Sequence, residues 1–409
     1  TCQKSFIKEE MDHMMIDQLP GILWDLESCY QVSFDEIKDD RENPFAHIGF
    51  DGKKNCLGWT LPYYERILTG PDDWIGQVIQ DANRINSTFQ HVIMVSPECS
   101  YLGLKTFLKT FHVDDGGKIL LTQADDLSMT TEVLMMLLNE HNGQIEDALK
   151  NTLLIFCCKS NLTDPMRLHK RYFQSLYKNL HISLEDHMML ICDEHTMVEK
   201  EFRAEHIPVR FRQFGKMNDI GERFSIPVSY ESLLVMTMIE RNCIRHVLEE
   251  AREMNDRYSN ETFPALGVYL YNLIRFRQLD KIVFIVPDVL ADAVCWFRQT
   301  FTKIFGQCFE GIDIIRSTDD KDDPGLETAT NLYIHIHFCQ EEYATDSQKT
   351  SDAHINLVHI NLLNRYSIGG LFLGFQRAMA ILAYFTKVNF VKEAKADLSS
   401  NHPSQMNKV

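Results

Sequence analysis

The stretch CCKSNLTDP (157–165) places one ammonium and two hydroxyls close together, from Lys159, Ser160 and Thr163, and these are donors that a bound phosphate could use. A plain capped turn needs the same letters, because Ser, Thr, Asn and Asp ahead of a helix satisfy its free N–H groups. A second turn, SPECSYLG (96–103), follows another apolar run and offers Ser100. Metal binding is the other chemistry to weigh. His335 and His337 alternate within NLYIHIHFC and so share one face of a strand, but a metal would need a third ligand such as His359. A solvent-side or structural role is expected for them, with no metal and no cofactor. Eleven cysteines are scattered singly except for Cys157-Cys158, and the lack of any C-x-x-C pair argues against a zinc ribbon or a thioredoxin-type motif. They read as reduced thiols of an intracellular protein.

Residues of this kind act only where backbone elements present them together. HVIMVS (91–96), KILLTQ (118–123), TLLIFCCKS (152–160) and HMMLICD (187–193) are short apolar runs, and each is followed by a turn and a stretch with helical spacing. Strands alternating with helices predict an α/β fold with a parallel sheet and helices on both faces. Ligands of such sheets sit beyond the carboxyl ends of the strands, which is where the turns at 96–103 and 157–165 fall. A second round follows residue 225: two helices, the strand KIVFIVP (281–287), a helix to Phe305, the strands NLYIHIHFC (331–339) and INLVHINL (355–362), then a long apolar helix. The polar segments 317–325 and 340–352 are expected to be solvated loops.

At 409 residues the chain exceeds what one core usually serves. The expected division is an N-terminal helical or irregular segment (1–56), two α/β domains (57–224 and 225–398) and a flexible tail (399–409). A formal charge of −17 excludes nucleic acid as a general partner, since each phosphate approached would need a Lys or Arg to replace its counterion. The most membrane-like run, YSIGGLFLGFQRAMAILAYF (366–385), is interrupted by Gln376-Arg377 and reads as a buried helix, so no membrane insertion is expected. The first residues, TCQKSFIKEEMDHMMIDQLPG, lack the apolar core of a signal peptide. A cytoplasmic protein is expected, with an organelle left open.

The order of these stretches resembles the phosphoglucose isomerase family over nearly the whole chain. LGWTLP (57–62) is similar to its G-W-x-x-L-P stretch, FQHVIMVSPECSYLG (89–103) to the strand and turn ending G-G-S-Y-L-G, and CKSNLTDP (158–165) to the phosphate loop S-K-S-G-T-T-x-E-P. DIGERFSIPVSYESLL (219–234) resembles the G-G-R-[FY]-S segment, and WFRQTFTKIFGQCFEGI (296–312) the segment ending F-G-E-S-x-G. NRYSIGGLFLGFQRAMAIL (364–382) looks like the C-terminal helix, followed by the shortened KVNFVKEAKADL (387–398). The resemblance implies two sugar-isomerase-type, doubly wound parallel-sheet domains, paired as a homodimer or as a subunit of a larger assembly, with a sugar phosphate as ligand.

Catalysis in that family moves a proton between neighbouring sugar carbons, which needs a carboxylate base, an acid, a cation and a phosphate grip. At the base position stands Gln307, a neutral amide that cannot take the proton; Glu310, three residues on, is the substitute on offer. The histidine stretch is replaced by STDDKDDPGLETATNLY (317–333), with Lys321 or an acidic neighbour in its place. Pro97 and Glu98 replace the two glycines of the first turn, and Cys158 and Leu162 replace a serine and a threonine of the second. Ser100, Lys159, Ser160 and Thr163 remain as phosphate or sugar contacts. Arg223 keeps the arginine that would steady an enediolate, and Lys392 or Lys395 falls near the late lysine. Losing base, histidine and glycine turn together points to a binding, structural or regulatory subunit without catalysis. The alternative is a divergent glucose-6-phosphate isomerase using Glu310 or Glu327 as base and His335, or a histidine of a partner chain, as acid.

Overall fold

The computed structural model describes residues 13–30, 32–33, 36, 43–112, 118–215, 219–255, 263–317, 330–339 and 356–392. Strands β1 (Phe50–Asp51) and β2 (Lys54–Asn55) form a short antiparallel hairpin whose turn uses Gly52 at a φ of 61°, a backbone state that suits glycine. Strands β3 (His91–Ser96), β4 (Ile119–Gln123), β5 (Thr152–Cys157), β6 (Met188–Cys192) and β7 (Val209–Phe211) make a parallel sheet in the order β4-β3-β5-β6-β7. A second parallel sheet, β11-β10-β8-β9, is built from β8 (Lys281–Ile285), β9 (Asp313–Ser317), β10 (Asn331–Phe338) and β11 (Asn356–Leu362).

Every residue of β3, β5 and β6 is buried, which is why these strands read as unbroken apolar runs rather than alternating ones. The expectation of an α/β fold with parallel sheets is met. Strands β7 and β9 are not legible in the sequence. Each is short and carries an arginine, Arg210 or Arg316, and what defines each is register against β6 or β8 rather than composition. The polar segments at 318–325 and 340–352 and the tail 399–409 lie outside the described residues.

One core cluster runs from the first sheet to the second, joining Val92, Met94, Ile155 and Ile191 to Ile282, Phe284, Ile334 and Ile360. A separate cluster fills the opposite face of the five-stranded sheet, beneath helices Leu127–Glu140, Asp164–Asn179 and Met197–Ala204. The membrane-like stretch becomes helix Ile368–Thr386, and 89% of its most apolar window is buried inside the protein. Its Gln376 and Arg377 are structural. Gln376 donates its amide to the carbonyls of Phe224 (3.1 Å) and Ile226, while Arg377 bonds the Asn255 carbonyl and pairs with Glu27 Oε1 at 2.8 Å. Gln376 thereby anchors the segment that presents Arg223.

Helix Phe263–Phe276 packs on this helix through Gly267, where an added Cβ would meet the Ala378 carbonyl at 2.5 Å and Ile381 Cβ at 2.8 Å. Because backbone cannot give way like a side-chain tip, Gly267→Ala is expected to lower stability by about 1–3 kcal/mol, the usual cost of overpacking, despite alanine's better helix propensity. Urea unfolding of the variant checks this. Unchanged or increased stability would contradict it.

Candidate functional site

The carboxyl ends of β5, β6 and β7 converge on one cluster of charges. Lys159 follows β5, Asp193 follows β6 and Arg212 follows β7, and the ladder continues past the strand ends, with Asp193 N–H donating to the Lys159 carbonyl (2.8 Å) and Arg212 N–H to that of Cys192 (2.9 Å). Three more groups enter from outside the sheet: Lys54 from the β1-β2 hairpin, Asp219 from the loop beyond β7, and Glu231 from helix Tyr230–Ile239.

Asp219 is the hub. Its fully buried carboxylate lies 2.7 Å from Lys54 Nζ and 3.0 Å from Lys159 Nζ, and accepts the Gly221 N–H at 2.8 Å. Asp193 lies 3.6 Å from Lys54 Nζ and 3.4 Å from Arg212 Nη1, and the Arg212 Nε is 3.5 Å from Glu231. Three cations therefore face three carboxylates, and among the described residues the cluster has no surplus positive charge. Burial pushes the Asp219 carboxyl upward, but the charges of Lys159 and Lys54 outweigh it and bring it down to about 2. Asp193 goes the other way: burial raises it, against the pull of Arg212 and with the repulsion of Asp219 added.

Beside this cluster opens a cleft lined by Lys159, Gly221, Glu222, Arg223, Phe224, Phe390 and Val391. It is a shallow groove, whose volume of about 290 Å³ includes the open mouth. Arg223 spans it and donates from Nη1 to the carbonyls of Phe390 (3.3 Å) and Lys392 (3.2 Å), so the guanidinium ties down the chain after the long helix.

Of the residues singled out from sequence, Lys159 and Arg223 come together in this cleft. Thr163 is the N-cap of helix Asp164–Asn179 and accepts the Met166 N–H at 3.4 Å, so here capping is what the hydroxyl does; Ser160 is exposed nearby. Ser100 is buried in helix Glu98–Thr110. At the first turn of that helix the Cys99 thiol donates to Gln299 Oε1 at 2.9 Å, and the partly exposed Glu98 carboxylate lies 4.0 Å from Lys303 Nζ. Burial pushes the Cys99 thiol up to about 11, although the Lys303 charge opposes it. Gln307 and Glu310 are exposed on the turn after helix Ala291–Phe305, and neither lines the cleft. Lys395, Lys321 and Glu327 lie outside the described residues.

His335 and His359 are register partners on β10 and β11, with rings 5.4 Å apart and the His337 ring 5.2 Å from that of His335. Among the described residues, no group of His, Cys, Asp or Glu is arranged to hold a metal ion. What sequence reasoning missed is the set of counter-charges: Lys54, Asp193, Arg212, Asp219 and Glu231. A signal existed for Asp193, which ends the HMMLICD run at a strand's carboxyl end, and for Asp219, which opens the DIGERFS segment.

No family model and no curated protein matches the sequence. Solved structures do match in fold. A hypothetical protein from Thermus thermophilus aligns with a TM-score of 0.64 at 16% identity, over 94% of this chain and 95% of that one. A glucose-6-phosphate isomerase from Chlamydia trachomatis aligns at 0.65 and 15% identity, over 92% and 83%. A tagatose-6-phosphate ketose/aldose isomerase from Escherichia coli aligns at 0.51 and 12% identity, over 85% and 95%. The chain thus has the α/β fold of the phosphosugar isomerases, with two parallel sheets.

The Asp219 carboxyl gives a pH signature. Its folded value lies below the ordinary carboxylate value, so its pairing stabilises the fold above pH ~4, and that contribution is lost as pH falls toward ~2. Asp219→Asn is expected to cost about 2 kcal/mol near neutrality, with the gap to wild type closing over that acid window. Urea unfolding as a function of pH reads it. A gap that stays constant down to the acid end would contradict the assignment.

Proposed function

We propose that this chain is a phosphoglucose-isomerase-fold protein without isomerase turnover, acting by binding as one subunit of a homodimer or of a larger assembly. The fold does not carry the activity with it, so the site must be judged on its own chemistry. The observation that weighs most is the turn after Phe305: the residue at the expected base position is an exposed amide, and its nearest carboxylate substitute, Glu310, is exposed beside it and outside the cleft. A proton-transfer base has to come within hydrogen-bond reach of the substrate carbon acid, and misplacement by an ångström can cost about 100-fold. The cleft supplies an arginine already engaged with two carbonyls and a lysine already paired with a carboxylate.

The subunit role is supported by large apolar side chains left exposed on one helical layer. Leu127 and Met135, Leu168 and Tyr172, and Met197 stand on the three helices that cover the outer face of the five-stranded sheet. The isomerases of similar fold suggest the ligand class to test, a sugar phosphate. A second reading, a divergent glucose-6-phosphate isomerase, is favoured by one feature: Glu222 puts a carboxylate on the cleft wall beside Arg223.

A coupled assay for conversion of glucose 6-phosphate to fructose 6-phosphate separates the two. Neither the wild-type protein nor Gln307→Glu is expected to exceed the uncatalysed rate. Turnover by the wild type, abolished in Glu222→Gln or Glu310→Gln, would establish the second reading instead.

A further inference from the structure

We propose that the Asp219 carboxylate is the resident anion of the strand-end cation site, holding the place of a phosphate and keeping that site closed to phosphate esters. The inference rests on the reading of a chain without turnover and specifies why its phosphate loop is silent. Two ammonium groups and a backbone N–H converge on one buried oxygen pair, at 2.7, 3.0 and 2.8 Å. That donor set at the carboxyl ends of parallel strands is what a phosphate group would ask for. Here all three donors are spent on a side chain of the same molecule.

Electrostatics reinforces the block. A phosphate approaching Lys159 through the cleft would meet the Asp219 charge at the same ammonium, while on the wall the Glu222 carboxylate offsets the Arg223 guanidinium, whose Nη1 is already bonded to two carbonyls. Nor is there compensation deeper in, since Arg212 is matched by Asp193 and Glu231. Yet a route from solvent exists, because the cleft opens onto Lys159 and Gly221, and the Lys54 side chain is about half exposed. Asp219 is thus the residue that decides whether this site accepts an anion from outside.

Calorimetric titration with inorganic phosphate tests this on the full chain as wild type, Asp219→Ser, Asp219→Asn, and Asp219→Ser combined with Lys159→Met. The wild type should show no saturable binding. Asp219→Ser, which removes the charge and shortens the side chain beside the open cleft, should bind phosphate roughly tenfold or more tighter than wild type, and the added Lys159→Met should abolish the gain. Phosphate should also restore thermal stability to Asp219→Ser, since the added anion replaces the missing one.

Lys159-dependent binding of phosphate by the wild type would overturn the proposal. So would a folded Asp219→Ser that binds it no better, or one that fails to fold even in phosphate buffer, because the carboxylate would then not be replaceable by an anion; Asp219→Asn, which keeps the place filled, serves as the control and should bind no phosphate. Phosphate binding by a wild type that still turns over no sugar would remove this inference and leave the non-catalytic reading standing.

Discussion

The pairing of Asp219 with Lys54 and Lys159 is the constraint around which this end of the molecule is arranged. A buried carboxylate costs several kcal/mol unless it is paired and its remaining lone pairs are satisfied, so Asp219 can sit where it does only with both ammonium groups and the Gly221 N–H in place. That requirement fixes the hairpin carrying Lys54, the end of β5 carrying Lys159 and the backbone turn at Gly221 relative to one another. The adjoining Asp193, Arg212 and Glu231 extend the same neutral cluster under the sheet's carboxyl edge.

Fold and site are held by different forces here, so the fold does not depend on the site's chemistry. The sheets and the helix Ile368–Thr386 are secured by apolar burial shared across one continuous core, whose strength depends on area and packing rather than on any catalytic group. A likeness in fold to isomerase structures across most of the chain, at 15% identity or less in the two compared, is what such a division allows. The positions that the resemblance would make catalytic or phosphate-binding, Gln307 and Pro97 among them, lie on turns, where an amide for a carboxylate or a proline for a glycine disturbs little of the core.

How much of this the sequence reveals follows from the range of the interactions involved. Strands β3, β5, β6 and β8 are legible because local apolar runs specify them, and the long helix is legible as buried because Gln376 and Arg377 break its apolar face. Lys159, singled out from its turn, and Arg223, singled out from the family resemblance, line the same cleft in the structure. The partners that neutralise the cluster are not legible, since Lys54 and Asp219 are distant in sequence and meet only once hairpin and sheet are assembled. Thr163 shows the limit of reading a turn by composition: its hydroxyl suits a phosphate and a helix N-terminus equally, and the backbone decides for the cap.

A crystal structure of the protein grown with glucose 6-phosphate would address the internal neutralisation of Lys54 and Lys159 most directly. The account predicts density for the Asp219 carboxylate between the two ammonium groups and no phosphate beside them. A phosphate seated on Lys159, with Asp219 turned away, would contradict it.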